Sequence, residues 1–270
     1  MVSYPHCKIN IGLNIVSRRT DGYHNLRTIF YPIPLCDELY VAEADEDSLT
    51  VDGITLDGDW QSNLVMKALR AVREDGHDVP PQCIRLVKHI PCGAGLGGGS
   101  SDAAFMMRMM NENYNLGLTN ERMEELLAPL GADCPFFVRS EVVFAEGIGN
   151  VFSPIDLSLK GWHFVLVKPS DHISTREAYA GITPCEPKED LRDSVKLPVE
   201  SWEGRVVNDF EASVFPAHPM VESIKSCLYR LGASYVAMSG SGSSVFGLFR
   251  QPATGIKDIF DGCFTFQTAL

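Results

Sequence analysis

A run of glycine between a strand pattern and a helix pattern limits what this chain can build more than any other feature. Five of the nine residues from 93 to 101, GAGLGGGSS, are glycine. The preceding CIRLVKHI alternates like a strand, and the SSDAAFMMRMM that follows repeats apolar residues at helical spacing. The helix is predicted to start near Ser100 or Ser101, with Ala104, Met107 and Met110 filling the core from its apolar stripe. Strand, glycine loop and helix in that order turn several backbone N–H groups toward one anion, and the helix start adds its partial positive charge. A turn that merely connected two elements would lose chain entropy on five glycines for no structural gain. Phosphate is the anion such a loop predicts.

Three common phosphate-binding arrangements do not fit. Gly93, Gly95 and Gly98 match GxGxxG, but the dinucleotide fingerprint needs a second parallel strand ending in an acid about 20 residues on. Here a second helix pattern, NERMEELLAPLG, occupies that stretch. A Walker A loop would place Lys and then Ser or Thr after Gly98, where this chain has Gly99 and Ser100. Protein kinases are excluded by the missing HRD and DFG companions.

The cradle therefore draws its cation and its acid from elsewhere. In KINIGLNI, residues 8–15, Ile9, Ile11, Leu13 and Ile15 share one face and Lys8, Asn10, Gly12 and Asn14 the other. Read alone, this is a half-buried strand whose polar face lies in solvent, with Lys8 and Asn10 side by side. Asp133 falls in GADCPFF just past the second helix, where an acid opposes the helix dipole. It reads either as a solvated turn aspartate or as a carboxylate held on a substrate hydroxyl. A lysine nearby and a phosphate loop opposite would make the second a phosphoryl-transfer constellation.

The rest of the chain sets the frame. Asp21-Gly22 signals a hairpin turn before a β-rich run over 26–41, Asn63 is the predicted N-cap of NLVMKALRAVRE, and β-rich segments follow at 142–152 and 162–169. Residues 184–203, rich in charge and proline, read as a surface connection between two halves. Helices over 208–215 and 220–231, the strands SYVAMSG and VFGLF about an SGSS turn, a short helix and a last strand suggest a split β-α-β arrangement. At 270 residues the chain makes one large domain or two smaller ones, and 45% hydrophobic with 21% charged residues is a globular composition. The balance of 23 basic against 35 acidic residues, -12, weighs against nucleic acid but leaves room for a small phosphorylated ligand. No apolar stretch nears the roughly 20 residues of a membrane helix, and MVSYPHCKIN lacks a signal pattern, so a soluble, cytoplasmic chain is expected. Eight scattered cysteines, with no CxxC pair and no zinc spacing, fit a reducing compartment.

Three blocks, KINIGL with Lys8, PCGAGLGGGSSDAA and SGSGSS, resemble the GHMP kinase superfamily of galacto-, homoserine, mevalonate and phosphomevalonate kinases. RRTDGYHNLRTIF, GADCPFF, FAEGIG and HISTREAY narrow the resemblance to a branch whose substrate carries cytidine diphosphate, over nearly the whole chain. The resemblance implies an α+β fold: an N-terminal ribosomal S5 domain 2-like domain over 1–155, a ferredoxin-like domain over 156–270, and the substrate between them. The implied activity is ATP-dependent phosphorylation of the 2-hydroxyl of 4-diphosphocytidyl-2-C-methyl-D-erythritol, a step of the non-mevalonate isoprenoid route. A mevalonate or homoserine kinase, and a nucleotide-binding sensor without chemistry, are the alternatives. The DGYH turn and Tyr179 speak against the first, and intact Lys8 and Asp133 against the second.

By matching motif, Lys8 and Asp133 are the implied catalytic pair. Pro91, Gly93, Gly95, Leu96, Gly97, Gly98, Gly99, Ser100 and Ser101 form the implied ATP phosphate loop, with Asn63 and Lys88 near the adenine. Asn10, Tyr23 and His24 match cytidine-diphosphate contacts, Tyr179 an aromatic stacked on cytosine, and Gly240, Ser241 and Gly242 a motif beside the acceptor. Mg2+ is expected with ATP, Ser101 being a candidate ligand. The implied partners are a small-molecule substrate, with no nucleic acid and no membrane, in a monomer or homodimer. Cys7, standing where the superfamily usually has alanine, Cys92 and Cys134 flank the site and read as buried small hydrophobes. Asn25 and His172 carry no assigned role.

Overall fold

The computed structural model describes residues 1–54 and 59–270. Its strands are β1 (Val2–Ser3), β2 (His6–Arg18), β3 (His24–Cys36), β4 (Glu38–Glu43), β5 (Ser48–Gly53), β6 (Gln82–Lys88), β7 (Val143–Glu146), β8 (Val151–Pro154), β9 (His163–Lys168), β10 (Tyr235–Met238), β11 (Val245–Phe249) and β12 (Phe264–Ala269). The helices are α1 (Leu64–Glu74), α2 (Gly98–Asn113), α3 (Asn120–Leu127), α4 (Phe136–Arg139), α5 (Thr175–Ala180), α6 (Leu191–Ser194), α7 (Phe210–Val214), α8 (Pro219–Arg230) and α9 (Ile256–Ile259). They build three four-stranded sheets, ordered β1-β4-β6-β5, β2-β3-β7-β8 and β10-β11-β9-β12.

Two compact units result, neither contiguous in sequence: residues 1–8, 34–92 and 97–141 form one, and 9–33, 93–96 and 142–270 the other. In the first unit β6 pairs antiparallel with β4 and parallel with β5, which gives a mixed sheet. Asn63 caps α1 as expected, its Oδ1 accepting the Val65 N–H at 2.9 Å. The α1 residues Val65, Ala68, Leu69 and Val72 are buried, as are Ala104, Met107 and Met110 of α2, so the methionines do fill core. In the second unit the β10-β11-β9-β12 sheet is antiparallel throughout, and α8 adds Val221, Ile224 and Leu228 to its core.

Four expectations need correction. The polar face of β2 is not in solvent: Lys8 and Asn10 are each 3% exposed, so the strand is buried on both faces. Within the second unit, Leu191 lies so close over Gly12 that a Cβ there would meet its Cδ1 at 2.5 Å, while Asp209 accepts the Ile15 N–H at 2.7 Å. Helix α2 begins at Gly98, ahead of Ser100, because Gly97 in the left-handed region (φ 71°) turns the chain early and its carbonyl already accepts the Ser101 N–H. Residues 184–203 do not connect the two units. They lie wholly within the second and bury Leu191, Val195, Val199 and Trp202, the Trp202 indole donating to the Leu197 carbonyl at 2.9 Å. Cys7 and Cys134 are buried as expected, but Cys92 is exposed, since it stands in the loop after β6 rather than under it.

Candidate active site

In the first unit, β2 delivers Lys8 and the turn between α3 and α4 delivers Asp133, so residues 125 positions apart meet with Lys8 Nζ 3.3 Å from Asp133 Oδ2. The ammonium is almost wholly buried while the carboxylate is about one-third exposed, which leaves the acid open to a ligand. The start of α2 adjoins them. A Cβ on Gly97 would sit 3.3 Å from Lys8 Cε and 3.0 Å from the Phe137 ring, and one on Gly131 would lie 3.6 Å from Ser100 Oγ. Glycine is required at 97 on both counts, positive φ and close approach. Cys134 is set against Ser100, and burial pushes its thiol up to about 11, so it is inert at neutral pH.

A buried ion cluster that sequence reasoning missed stands behind this helix start. The Lys88 ammonium is held by Asp37, and by Asp102 at 2.7 Å. Asp37 is fully occupied, because its other oxygen accepts the His89 and Ile90 N–H groups at 2.6 and 2.8 Å. Asp102 is less well served: among the described residues, its Oδ1 is buried with no hydrogen-bond partner. Burial and the neighbouring Asp37 therefore outweigh Lys88 and push its carboxyl up to about 7. Burial opposes the charge on Lys88, but the two carboxylates hold its pKa above the usual lysine value. The signal was present in CIRLVKHI, whose alternation puts Lys88 in register with the buried Ile84 and Leu86, a position that demands carboxylate partners. Lys88 and Asp102 line a cavity of about 520 Å³ with Leu49, Val51, Trp60 and Asn63.

In the second unit, the first part of the glycine loop rests on the SGSGSS turn. Ser239 Oγ donates to the Gly95 carbonyl at 2.9 Å, and a Cβ on Gly95 would fall 2.0 Å from the Ser239 carbonyl oxygen. Asn10 joins them: its N–H donates to Ser239 Oγ at 3.2 Å, its amide to Thr28 at 3.0 Å, and its Oδ1 faces Gly240. Asn208, also missed, fixes this turn by donating to the Met238 and Gly240 carbonyls at 2.7 and 2.8 Å. His172, left without a role, lies against Gly93. His24 stacks on Tyr179, ring centroids 4.6 Å apart and 15° from parallel, while Tyr23 beside it is 62% exposed at the hairpin end. The predicted cytidine contacts Tyr23, His24 and Tyr179 thus belong to one unit.

Among the described residues no group of three His, Cys, Asp or Glu side chains forms a metal cage. Ser101 Oγ, on α2, is buried without a hydrogen-bond partner among the described residues. One hydroxyl donor with no cage suits a Mg2+ that takes most of its oxygens from nucleotide phosphates.

The family model for the GHMP kinases N terminal domain matches residues 63–141, and that for the GHMP kinases C terminal domain matches 189–261. The chain is 51% identical over 272 residues to the 4-diphosphocytidyl-2-C-methyl-D-erythritol kinase of Parabacteroides distasonis, covering 100% of both proteins. A crystal structure of 4-(cytidine 5'-diphospho)-2C-methyl-D-erythritol kinase superposes with a TM-score of 0.80 at 29% identity, over 100% of this chain and 99% of that one. The Methanococcus jannaschii mevalonate kinase, with a TM-score of 0.73 at 16% identity over 100% and 98%, shares the fold alone. The chain belongs to the GHMP kinase family, in its group of 4-diphosphocytidyl-2-C-methyl-D-erythritol kinases.

Proposed function

We propose that this kinase moves the γ-phosphoryl group of ATP onto the 2-hydroxyl of 4-diphosphocytidyl-2-C-methyl-D-erythritol, with Lys8 and Asp133 as its catalytic residues. The observation that carries the reading is the 3.3 Å Lys8–Asp133 pair against the glycine-lined start of α2. The acceptor is a tertiary alcohol, far too weak an acid to ionise at neutral pH. Asp133 takes its proton as the alcohol oxygen bonds to the γ-phosphorus and the bond from that phosphorus to the β-phosphate oxygen breaks, releasing ADP. Lys8 offsets the negative charge spread over the transferring oxygens.

The N–H groups of residues 97–100 receive the ATP phosphates, helped by the start of α2. When Mg2+ is bound with ATP, held in part by Ser101, it neutralises phosphate charge. Asn63 and Lys88 line the cavity offered to the adenine; the Lys88 ammonium gives two of its three donors to Asp37 and Asp102, leaving one for a base nitrogen. Asn10, Tyr23, His24 and Tyr179 take the cytidine-diphosphate half, with Gly240, Ser241 and Gly242 beside the acceptor. Eight free cysteines support a cytoplasmic location. Incubating the protein with ATP, Mg2+ and the diphosphocytidyl alcohol is expected to give the 2-phosphate by mass spectrometry. Turnover of mevalonate or homoserine in its place would reverse the assignment.

A further inference from the structure

His218 lies just before α8, outside every motif read from the sequence, and bridges two carboxylates. Its Nδ1 is 3.2 Å from Asp171 Oδ1, in the segment after β9, and its Nε2 is 2.9 Å from Glu177 Oε1, on α5. These are the charged groups that face it, and its side chain is 16% exposed. The chemistry of the bridge depends on one proton. An imidazolium has two N–H groups and can donate to both carboxylates at once. A neutral imidazole can donate to only one, and turns a lone pair toward the other.

What the bridge holds is the segment bearing Tyr179. Other polar contacts reach residues 171–180 as well. Ser243 Oγ donates to the Asp171 carbonyl at 2.7 Å, and Ser213 Oγ to the Ala178 carbonyl at 2.7 Å. Ser174 caps α5 by accepting the Glu177 N–H at 3.2 Å, and the Glu177 carboxylate then reaches out to His218. Tyr179, two residues on, stacks on His24 and packs edge-on against Phe210, centroids 4.8 Å apart. Ile173 and Ala178 anchor the segment in the core, but α5 buries Ala178 alone and leaves the Tyr179 ring partly buried, so a clasp from α8 helps to set where that ring stands.

From this geometry we infer that His218 is a positioning residue for the cytidine-bearing substrate. In its doubly donating form it clasps Asp171 and Glu177, and so holds α5 with Tyr179 set for stacking on the base. The inference rests on the cytosine-stacking role proposed for Tyr179. The bonds to Glu177 and Asp171, working against partial burial, hold the imidazole pKa above its ordinary 6.5. The doubly donating clasp is therefore fullest below that value and gives way to a single bond as pH climbs through the raised one.

Two readouts on the full-length protein test this. The first is hydrogen–deuterium exchange of residues 171–180, compared at each pH between wild type, His218→Ala and His218→Lys. His218→Ala is expected to lose more protection relative to wild type at pH 6.5 than at pH 9, where wild type keeps only one of the two bonds. His218→Lys, which stays cationic, is expected to hold protection across the range. The second is steady-state kinetics. His218→Ala should raise KM for the diphosphocytidyl substrate about three- to tenfold at pH 6.5, leaving kcat and KM for ATP within about twofold, and His218→Lys should restore a low, pH-independent KM. Unchanged protection of 171–180 in His218→Ala overturns the clasp. A protection loss with no change in that KM, or with an equal change in KM for ATP, overturns the positioning role. If wild type fails to turn over the diphosphocytidyl substrate at any pH while the protection effect is present, the clasp stands and the functional reading falls.

Discussion

Asp133→Asn preserves size and hydrogen-bond reach at the end of the Lys8 ammonium, but an amide cannot take the hydroxyl proton at neutral pH. Turnover is expected to fall on the order of a hundred- to ten-thousand-fold, about 3 to 5 kcal/mol of transition-state stabilisation, with melting temperature and ATP affinity nearly unchanged. Lys8→Ala should also lower kcat, and the double variant should lose less than the product of the two, because both groups act on one transferring phosphoryl. An Asp133→Asn enzyme within about threefold of wild type would remove Asp133 from the mechanism. The partnership of these residues was legible only in part: the strand face of Lys8 alone looked solvated, and nothing local to GADCPFF says what its acid meets. A second residue-scale expectation concerns Asp102, whose carboxyl is pushed up from its ordinary 3.8 by burial and by the neighbouring Asp37. A carboxyl that binds its proton more tightly when folded is most favourable below its ordinary pKa, and its contribution is lost as pH climbs through the raised one. Urea unfolding of Asp102→Asn at pH 5 and pH 8 is expected to show a smaller drop in stability with rising pH than wild type, and equal drops would refute the assignment.

Elements were legible where one face of a pattern meets solvent and misread where both faces are covered. Periodicity found α1 and its Asn63 cap because that helix is amphipathic, whereas α2 is buried on nearly every side, so that its methionines fill core beyond the stripe that was read. It failed at β2, whose polar residues face protein groups instead of water, and at residues 184–203, where charge and proline hid the buried Leu191 and Trp202. Polar composition marks a loop only if those side chains reach water, and here the apolar minority decides the packing. The glycine loop lies between β6 and α2 as the pattern required, except that Gly97 starts the helix early. Gly97→Val would put a β-branched side chain at φ 71° and into the Phe137 ring. Backbone strain of about 1 to 3 kcal/mol should lower the melting temperature, and nucleotide affinity measured by calorimetry should drop more than tenfold. A folded Gly97→Val protein that binds ATP like wild type would show that residues 97–100 do not hold phosphate.

At the scale of the molecule, fold and substrate are separable questions. The mevalonate kinase superposes over this whole chain at 16% identity, so the architecture is compatible with acceptors that have no nucleobase. Discrimination must come from side chains hung on that frame, and in the second unit an aromatic pair is set where a base could be stacked: His24 on Tyr179, with exposed Tyr23 alongside. The sequence named all three residues by motif, but their meeting depends on the hairpin after β2 and helix α5 being folded into one unit, which no local pattern encodes. If that pair is the base site, removing one ring should cost binding of the cytidine half and little else. Stacking on a base is worth about 1 to 3 kcal/mol, one to two decades of affinity. Tyr179→Ala is therefore expected to raise KM for the diphosphocytidyl substrate roughly tenfold or more, with a smaller effect on kcat, since the ring is proposed to touch the base and not the reacting hydroxyl. KM for ATP is the internal control, because Tyr179 is not among the residues assigned to the nucleotide donor. A Tyr179→Ala enzyme with an unaltered KM for the diphosphocytidyl substrate, or one that gains mevalonate or homoserine turnover to wild-type levels, would move the specificity determinant elsewhere in the chain.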